Sequence, residues 1–258
     1  MPVLVGTSGW QYRSWRATFY PEKLRQADWL EHYAAGFATV EVNNAFYRLP
    51  ESSTFASWAS RTPDDFVVTV KASRYLTHIR RLRQPAEPVH RLLERITHLG
   101  PKLGPVLLQL PPNLSADHEA LDETLGLFPS GIRVAVELRH QSWFTDRTRQ
   151  TLSERGAALC LADSPRRRTP VWRTAGWGYI RMHEGRAAPH PCYGAQALRT
   201  WAKKLAAEWP EPCDVYVYFN NDARACAVRD AITFAKAAER EGLSPTRVPD
   251  AKAVRLGD

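Results

Sequence analysis

The sequence lacks most of the features that assign a function on sight. Methionine occurs twice and cysteine four times, at Cys160, Cys192, Cys213 and Cys226. No two cysteines form a C-x-x-C pair, and Cys160 sits inside the apolar run AALCLA. This spacing argues against a zinc knuckle and predicts reduced thiols rather than a disulfide frame. No uninterrupted apolar stretch approaches the length that spans a bilayer. The N-terminal MPVLVGTSGW has no basic region followed by a long apolar segment, so no signal peptide is read there. The expectation is a soluble, cytoplasmic protein with no membrane partner. Internal repeats, low-complexity tracts and a clear linker are missing too. So are a P-loop, a nucleophile elbow, an H-E-x-x-H pair and a catalytic-cysteine signature. GTSGW has two glycines but not the G-x-G-x-x-G spacing of a dinucleotide turn. Ser8 within it could serve as a nucleophile, but a turn or helix-cap role suits it better.

What is present is an ordinary globular mixture. The chain has 258 residues, 44% hydrophobic and 24% charged, enough for one large domain spanning 1–258 with a substantial core. Nine tryptophans are a high number, some for a cleft and most for packing. The formal net charge is +8, which favours acidic ligands such as phosphates, nucleic acid or sugar acids. An arginine-rich composition without such a partner would give the same sum. The basic runs RRLR at 80–83 and RRR at 166–168 are read as loops with solvated faces.

Eight strand-like runs can be read: VLVG, TVEVN, FVVTVK, PVLLQL, RVAVEL, ALCLA, GYIRMH and DVYVYFN. Helical spacing lies between them. Leu24, Ala27, Leu30 and Phe37 fit one helix; Val89, Leu92, Leu93, Ile96 and Leu99 fit another. Leu198, Trp201, Leu205 and Trp209 give a third, and Val228, Ala231 and Ala235 a fourth. Alternating strands and helices imply parallel pairing with right-handed crossovers, and eight units in this length match an α/β fold, a TIM-like (β/α) barrel of parallel strands.

Strand parity then locates a site. In six strands one parity is bulky and apolar, as a helix-facing side requires, while the other turns polar toward the C-terminal end. The polar parities carry Glu41 and Asn43, Lys71, Gln109, Glu137 and Arg139, Arg181 and His183, and Tyr216, Tyr218 and Asn220. These ends meet at one mouth of a parallel barrel, where barrel enzymes keep their active sites. In the sixth strand Asp163 shares parity with Leu159 and Leu161, so alternation does not orient it. Buried ion pairs such as Glu41–Lys71 or Glu137–Arg181 could hold a barrel together without catalysis. Six strands ending polar at one pole favour a functional mouth, because desolvating so many charges is costly.

Seven blocks, GTSGWQYRSWRATFYP, VEVNNAFYRLP, LQLPP, AVELRHQSW, ADSP, YIRMHEG and YVYFNND, run in order from residue 6 to residue 222. Together they resemble the signature blocks of the domain of unknown function 72 (YecE-like) family. The resemblance implies a TIM-like barrel and leaves the reaction open. One departure stands out: where relatives commonly have glycine shortly after the Asn-Asn turn, this chain reads DARACAV.

Glu41 and Glu137 are the leading general-base candidates and His183 the leading proton shuttle, with His140 second. Lys71 and Arg181 would bind an anion or steady developing negative charge, as could Arg139. Asn43, Gln109 and Asn220 would orient substrate hydroxyls, and Asp163 joins them at the strand ends. Trp10, Tyr12, Trp143, Tyr216 and Tyr218 could wall an apolar face, with loop anchoring the competing role for Trp10 and Trp143. Glu41, Glu137, Asp163, His183 and Asp222 could ligate a divalent metal, though no compact motif requires one. The reading is an enzyme of hydrolase, lyase or isomerase type. It would work by acid–base chemistry on a small polar anion, such as a phosphorylated sugar or a nucleotide derivative. The alternatives are a non-catalytic nucleic-acid or anion binder and a metal-dependent nuclease or hydrolase. The oligomeric state is not encoded in any motif.

Overall fold

The structure is a computed structural model that describes residues 2–164, 167–210 and 212–254. Ten strands form one sheet: β1 (Pro2–Thr7), β2 (Thr39–Val42), β3 (Val67–Lys71), β4 (Leu103–Gln109), β5 (Val134–Glu137), β6 (Ala158–Ser164), β7 (Arg167–Arg168), β8 (Gly178–Met182), β9 (Val215–Phe219) and β10 (Ser244–Pro245). Eight of them, β1 to β6 with β8 and β9, pair in parallel, and β9 pairs back onto β1 from Val3↔Val215 to Thr7↔Phe219. That last pairing closes a barrel. The two-residue strand β7 adds to β6 antiparallel, and β10 adds to the start of β1. Arg166 of the basic run lies outside the described residues, while Arg167 and Arg168 form β7 rather than a loop.

The helices are α1 (Trp29–Gly36), α2 (Asn44–Tyr47), α3 (Ser52–Ser60), α4 (Ala86–Ile96), α5 (His118–Gly126), α6 (Asp146–Glu154), α7 (Ala195–Glu208) and α8 (Cys226–Arg240). The third and fourth helices expected from spacing are α7 and α8. The first is shorter than its apolar spacing suggests: Gln26–Asp28 form a 3-10 turn and only Trp29–Gly36 is α-helical. The second stops at Ile96, and Leu99 sits in a 3-10 turn, where Gly100 takes φ +57° and Pro101 cannot continue an α-helix. The crossover from β6 to β8 has no helix among its described residues. Threonines fill in there: Thr174 Oγ1 accepts from Leu159 N at 2.8 Å and donates to Ala157 O at 2.7 Å, so side chains satisfy part of the β6 backbone.

Two apolar clusters follow from strand parity. The larger lies between barrel and helices and takes Val40, Val68, Val106, Val136, Leu159, Leu161, Ile180 and Val217. The smaller fills the barrel with Leu4, Leu107, Ala135, Ala158, Cys160, Trp177, Tyr179, Tyr216 and Tyr218. At Gly6 a Cβ would lie 2.4 Å from the Thr39 carbonyl oxygen, so β1 and β2 approach at a distance that only glycine allows.

The expected reduced cysteines need one correction. Cys192 and Cys226 form a disulfide with Cα atoms 4.9 Å apart, tying the segment after β8 to the first residue of α8. The partners are 34 residues apart in sequence, so spacing hid the pair. Cys160 is a buried thiol in the barrel interior, as expected.

Candidate active site

Arg181, on β8, is the centre of the mouth. Its guanidinium is 1% exposed and donates from Nη1 to Glu137 Oε2 at 2.6 Å and from Nη2 to Glu41 Oε1 at 2.8 Å. The two acids come from β5 and β2, on opposite sides of the barrel wall. Tyr179, two residues before Arg181 and on the same parity, donates its hydroxyl to Glu41 Oε2 at 2.6 Å. Gln109 Nε2 lies 3.1 Å from both oxygens of Glu137, and Arg139 Nε donates to Glu137 Oε1 at 2.7 Å. Below this layer Tyr218 shares its hydroxyl with Thr39 at 2.7 Å and Thr69 at 2.8 Å. The strand β2, TVEV, therefore buries its acid because β8 supplies donors to it, and β8, β4 and Arg139 supply donors to Glu137 beside it.

The charges balance within that layer. Burial alone would raise the Glu41 and Glu137 carboxyls, but the Arg181 guanidinium, joined by Tyr179 and Ser8 at Glu41 and by His183 and Arg139 at Glu137, outweighs it and holds both below the usual carboxylate range, Glu137 well below. Two arginines, Arg181 and Arg139, face two carboxylates, and Lys71 is then an unmatched cation. It is 8% exposed, and among the described residues it has no carboxylate within ion-pair distance and no hydrogen bond. Its Nζ lies 3.9 Å from the centroid of the Phe46 ring. Burial, reinforced by Arg181, pushes its pKa down to about 8 despite the opposing fields of Glu41 and Glu137. His78, from the single π-helical turn Tyr75–Ile79, packs on Phe46 at 4.9 Å. Burial and the nearby Lys71, Arg139 and Arg74 lower it to about 4, so it is neutral at pH 7.

His183 stands at the end of β8. Its Nδ1 is 3.0 Å from Asn220 Nδ2, and its Nε2 is 3.4 Å from Glu137 Oε1, whose carboxyl it helps to lower. Asp222 accepts from the Trp15 indole nitrogen, and burial raises its carboxyl to about 6. Tyr12 donates to Ser8 O at 2.5 Å, and burial with the Asp222 and Glu41 charges raises its phenol. Ser8 faces Glu41 and helps to lower its carboxyl, whereas the buried Asn43 Oδ1 and Arg181 Nε have no hydrogen-bond partner among the described residues.

The family model described as "Protein of unknown function DUF72" matches residues 4–253. The chain belongs to the DUF72 family. The UPF0759 protein YecE of Escherichia coli K12 is 29% identical over 168 residues, 63% of this chain. The chain spans 59% of the length of that relative. The UPF0759 protein YunF of Bacillus subtilis is 24% identical over 258 residues, covering 86% of this chain and 89% of YunF. A DUF72 family protein from Thermotoga maritima superposes with a TM-score of 0.80 at 28% identity, covering 93% of this chain and all of that one. One from Enterococcus faecalis gives 0.77 at 19% identity, covering 92% and 95%. These likenesses agree with the TIM barrel read from the DUF72 blocks.

Several residues of this DUF72 chain lie away from the open mouth. Asp163 is turned away from the mouth: its Oδ2 accepts from Trp201 Nε1 of α7 at 3.1 Å, because Ala158 and Cys160, not Leu159 and Leu161, face the barrel interior. Trp10 is 4% exposed and packs edge-on against Trp58, and Trp143 is buried with its indole on Leu114 O at 2.8 Å. Both are loop anchors rather than walls. Tyr216 lies deeper, where Arg133 reaches its hydroxyl at 3.0 Å, and Tyr218 is sealed beneath the acids. His140 bonds Ser142 Oγ at 2.8 Å in a 3-10 turn. The expected Glu41–Lys71 pair is absent, since Arg181 and Tyr179 occupy Glu41. Among the described residues no group of three or more His, Cys, Asp or Glu side chains is arranged to hold a metal, so the five ligand candidates do not assemble. Sequence reading put Tyr179 beside Arg181 and His183 without giving it a role, and it gave Phe46 and His78 none. Tyr179 was reachable, being on the polar parity of its strand; Phe46 and His78 lie in crossovers, where no periodicity points inward.

Proposed function

We propose that the barrel mouth binds a small, polar, anionic molecule and carries out acid–base chemistry on it, of hydrolase, lyase or isomerase type. The observation that carries this reading is the pair of unpartnered buried atoms at one pole, Asn43 Oδ1 and Arg181 Nε. A buried polar group without a partner costs roughly 1–3 kcal/mol, so an acceptor and a donor left open at one pole suggest a ligand that completes them. Glu41 and Glu137, held ionised by Arg181, are weak bases at neutral pH and serve to fix the guanidinium. Arg181 Nε and the remaining N–H groups of Arg139 receive the anion, and Asn43, Asn220 and Gln109 set its orientation. His183 and Asp222 transfer protons, the carboxyl of Asp222 being raised toward the working range. A melting screen of sugar phosphates, nucleotides and small carboxylates tests the reading. One anionic class at a hundredfold excess over its Kd should stabilise the protein by about 2.7 kcal/mol, and Arg139→Gln should abolish most of that shift. A flat response to every anion at millimolar concentration would refute the reading.

A second reading rests on a different surface. A groove of about 630 Å3 beside the mouth is lined by Arg48, Arg74, Arg91 and Arg95. Tyr47 and Ile79, 74% and 59% exposed, stand on it. Arg91 and Arg95 meet Glu87 and Glu51, whereas Arg48 and Arg74 have no carboxylate in reach among the described residues. Such a strip suits a polyanion, with exposed rings for stacking. Retention on single-stranded RNA or DNA that falls steeply between 50 and 200 mM salt, on the order of a thousandfold, would support it.

A further inference from the structure

We propose that Lys71 is an imine-forming nucleophile, and that the molecule it takes is a small aldehyde or ketone bearing a carboxylate or phosphate. The inference rests on the reading of the mouth as an anion-binding site and names the substrate class for it.

The argument begins with charge. A buried ammonium is normally matched by a carboxylate, and two carboxylates lie in this layer. Both are already engaged: Glu41 by Arg181 and Tyr179, Glu137 by Arg181, Arg139 and Gln109. The groups facing the amine are then Arg181 from β8, Glu41 from β2, Glu137 and Arg139 from β5 and the neutral His78 from the π-helical turn. Two positive and two negative charges leave no net field to hold a third cation. Lys71 ends β3, so its stem rises inside the barrel, and the Phe46 ring covers the amine on one side. The ring face favours the ammonium and offsets part of the burial effect. The net direction is still toward the free amine, which is the form that attacks carbonyls. The side chain is 8% exposed, so it is shielded but reachable.

The chemistry balances with no further reagent. The Lys71 nitrogen lone pair bonds to the carbonyl carbon. Both amine protons end on the former carbonyl oxygen, which leaves as water, and one proton taken up from solvent or from His183 makes the iminium. The iminium nitrogen then accepts the electron pair of an adjacent C–H or C–C bond. His183 is placed at the same mouth to receive or return the proton. The anionic substituent lies on Arg139 and the free Nε–H of Arg181. The carboxylates keep Arg181 from turning away.

Borohydride trapping decides the matter. Wild-type protein is incubated with pyruvate, with glyceraldehyde 3-phosphate and with uncharged propanal, each with and without sodium cyanoborohydride, and then mapped by peptide mass spectrometry. The expected result is a reduced adduct on Lys71. It should form at least tenfold faster than on the exposed Lys23 and Lys236, faster with the anionic carbonyls than with propanal, and half-maximally near pH 8. Lys71→Arg and Lys71→Met should both lose it, the second variant guarding against a folding defect in the first. A Lys71 peptide labelled no faster than the surface lysines overturns the proposal. If anions still raise the melting temperature in that case, the binding mouth survives without the imine. If neither adduct nor shift is seen, both readings fall together.

Discussion

Lys71 is the residue whose environment is most out of step with its charge. Its folded pKa, about 8, lies below the ordinary 10.5, so the folded chain binds fewer protons than the unfolded one between those values. Stability therefore rises with pH from 8 to 10.5, and below 8 the full cost of the buried ammonium applies. That cost is about 3 kcal/mol, less the part returned by Phe46. Lys71→Met should raise the unfolding free energy at pH 7 by about 2–3 kcal/mol, an advantage that fades to nothing above pH 10.5 in urea titrations. A constant gain at all pH values would contradict this account. Glu137 behaves in the opposite sense. Its folded pKa is depressed well below 4.5, so its contribution is fully present above pH 4.5 and is lost as pH falls through the lower folded value. Glu137→Gln removes one of the two acids that neutralise Arg181 and should cost about 3 kcal/mol at pH 7, read from the urea midpoint. Residue identities in this layer were legible in the sequence because parity alone exposes them. Their pairing was not: Glu41 reads equally well as the partner of Lys71 or of Arg181, and only the depth of each side chain decides.

At the scale of elements, the loop after β9 tests a departure noted in the sequence. Arg224 and Ala225 take φ +57° and +54°, the left-handed region that glycine adopts without strain. A side chain there costs roughly 1–2 kcal/mol, against about 0.5–1 kcal/mol for the extra freedom that glycine brings to the unfolded chain. Arg224→Gly should therefore raise the thermal midpoint slightly, by about one to three degrees, and a fall would show that the arginine side chain holds the loop. The Cys192–Cys226 bridge closes a span of 34 residues that holds β9 and α7. Chain-entropy reasoning gives it roughly 3–4 kcal/mol. Cys226→Ser should lower the midpoint of the oxidised protein, and dithiothreitol should lower the wild type to match. Existence and order of the eight barrel strands were readable because short apolar runs recur between helical stretches, six of them with one parity turning polar toward the end. Helix ends were less so: α4 stops at a Gly-Pro pair that apolar spacing runs straight through. The missing helix between β6 and β8 was hidden because strand–helix alternation elsewhere invites one.

At the scale of the whole molecule, the barrel joins the two ends of the chain. β1 lies between β2, its neighbour in sequence, and β9, more than two hundred residues away, with β10 laid on its outer start. Gly6→Ala would push the new methyl against Thr39 O, on β2, and should cost on the order of 1–3 kcal/mol. A variant as stable as wild type would mean that this seam can open without loss. The barrel class was legible from counting strands, and the closure from none of them singly, since no local pattern records which strands are first and last neighbours. That seam has a consequence for the newborn chain. During synthesis the strand that opens the sequence must wait, its hydrogen-bonding edge bare, until the one ending at Phe219 has left the ribosome. The two acids from β2 and β5 emerge well before Arg181, the guanidinium that bridges them. For that interval the future pocket is an unshut half-ring in which Glu41, Lys71, Glu137 and Arg139 are all made and the tie between its two acids is not.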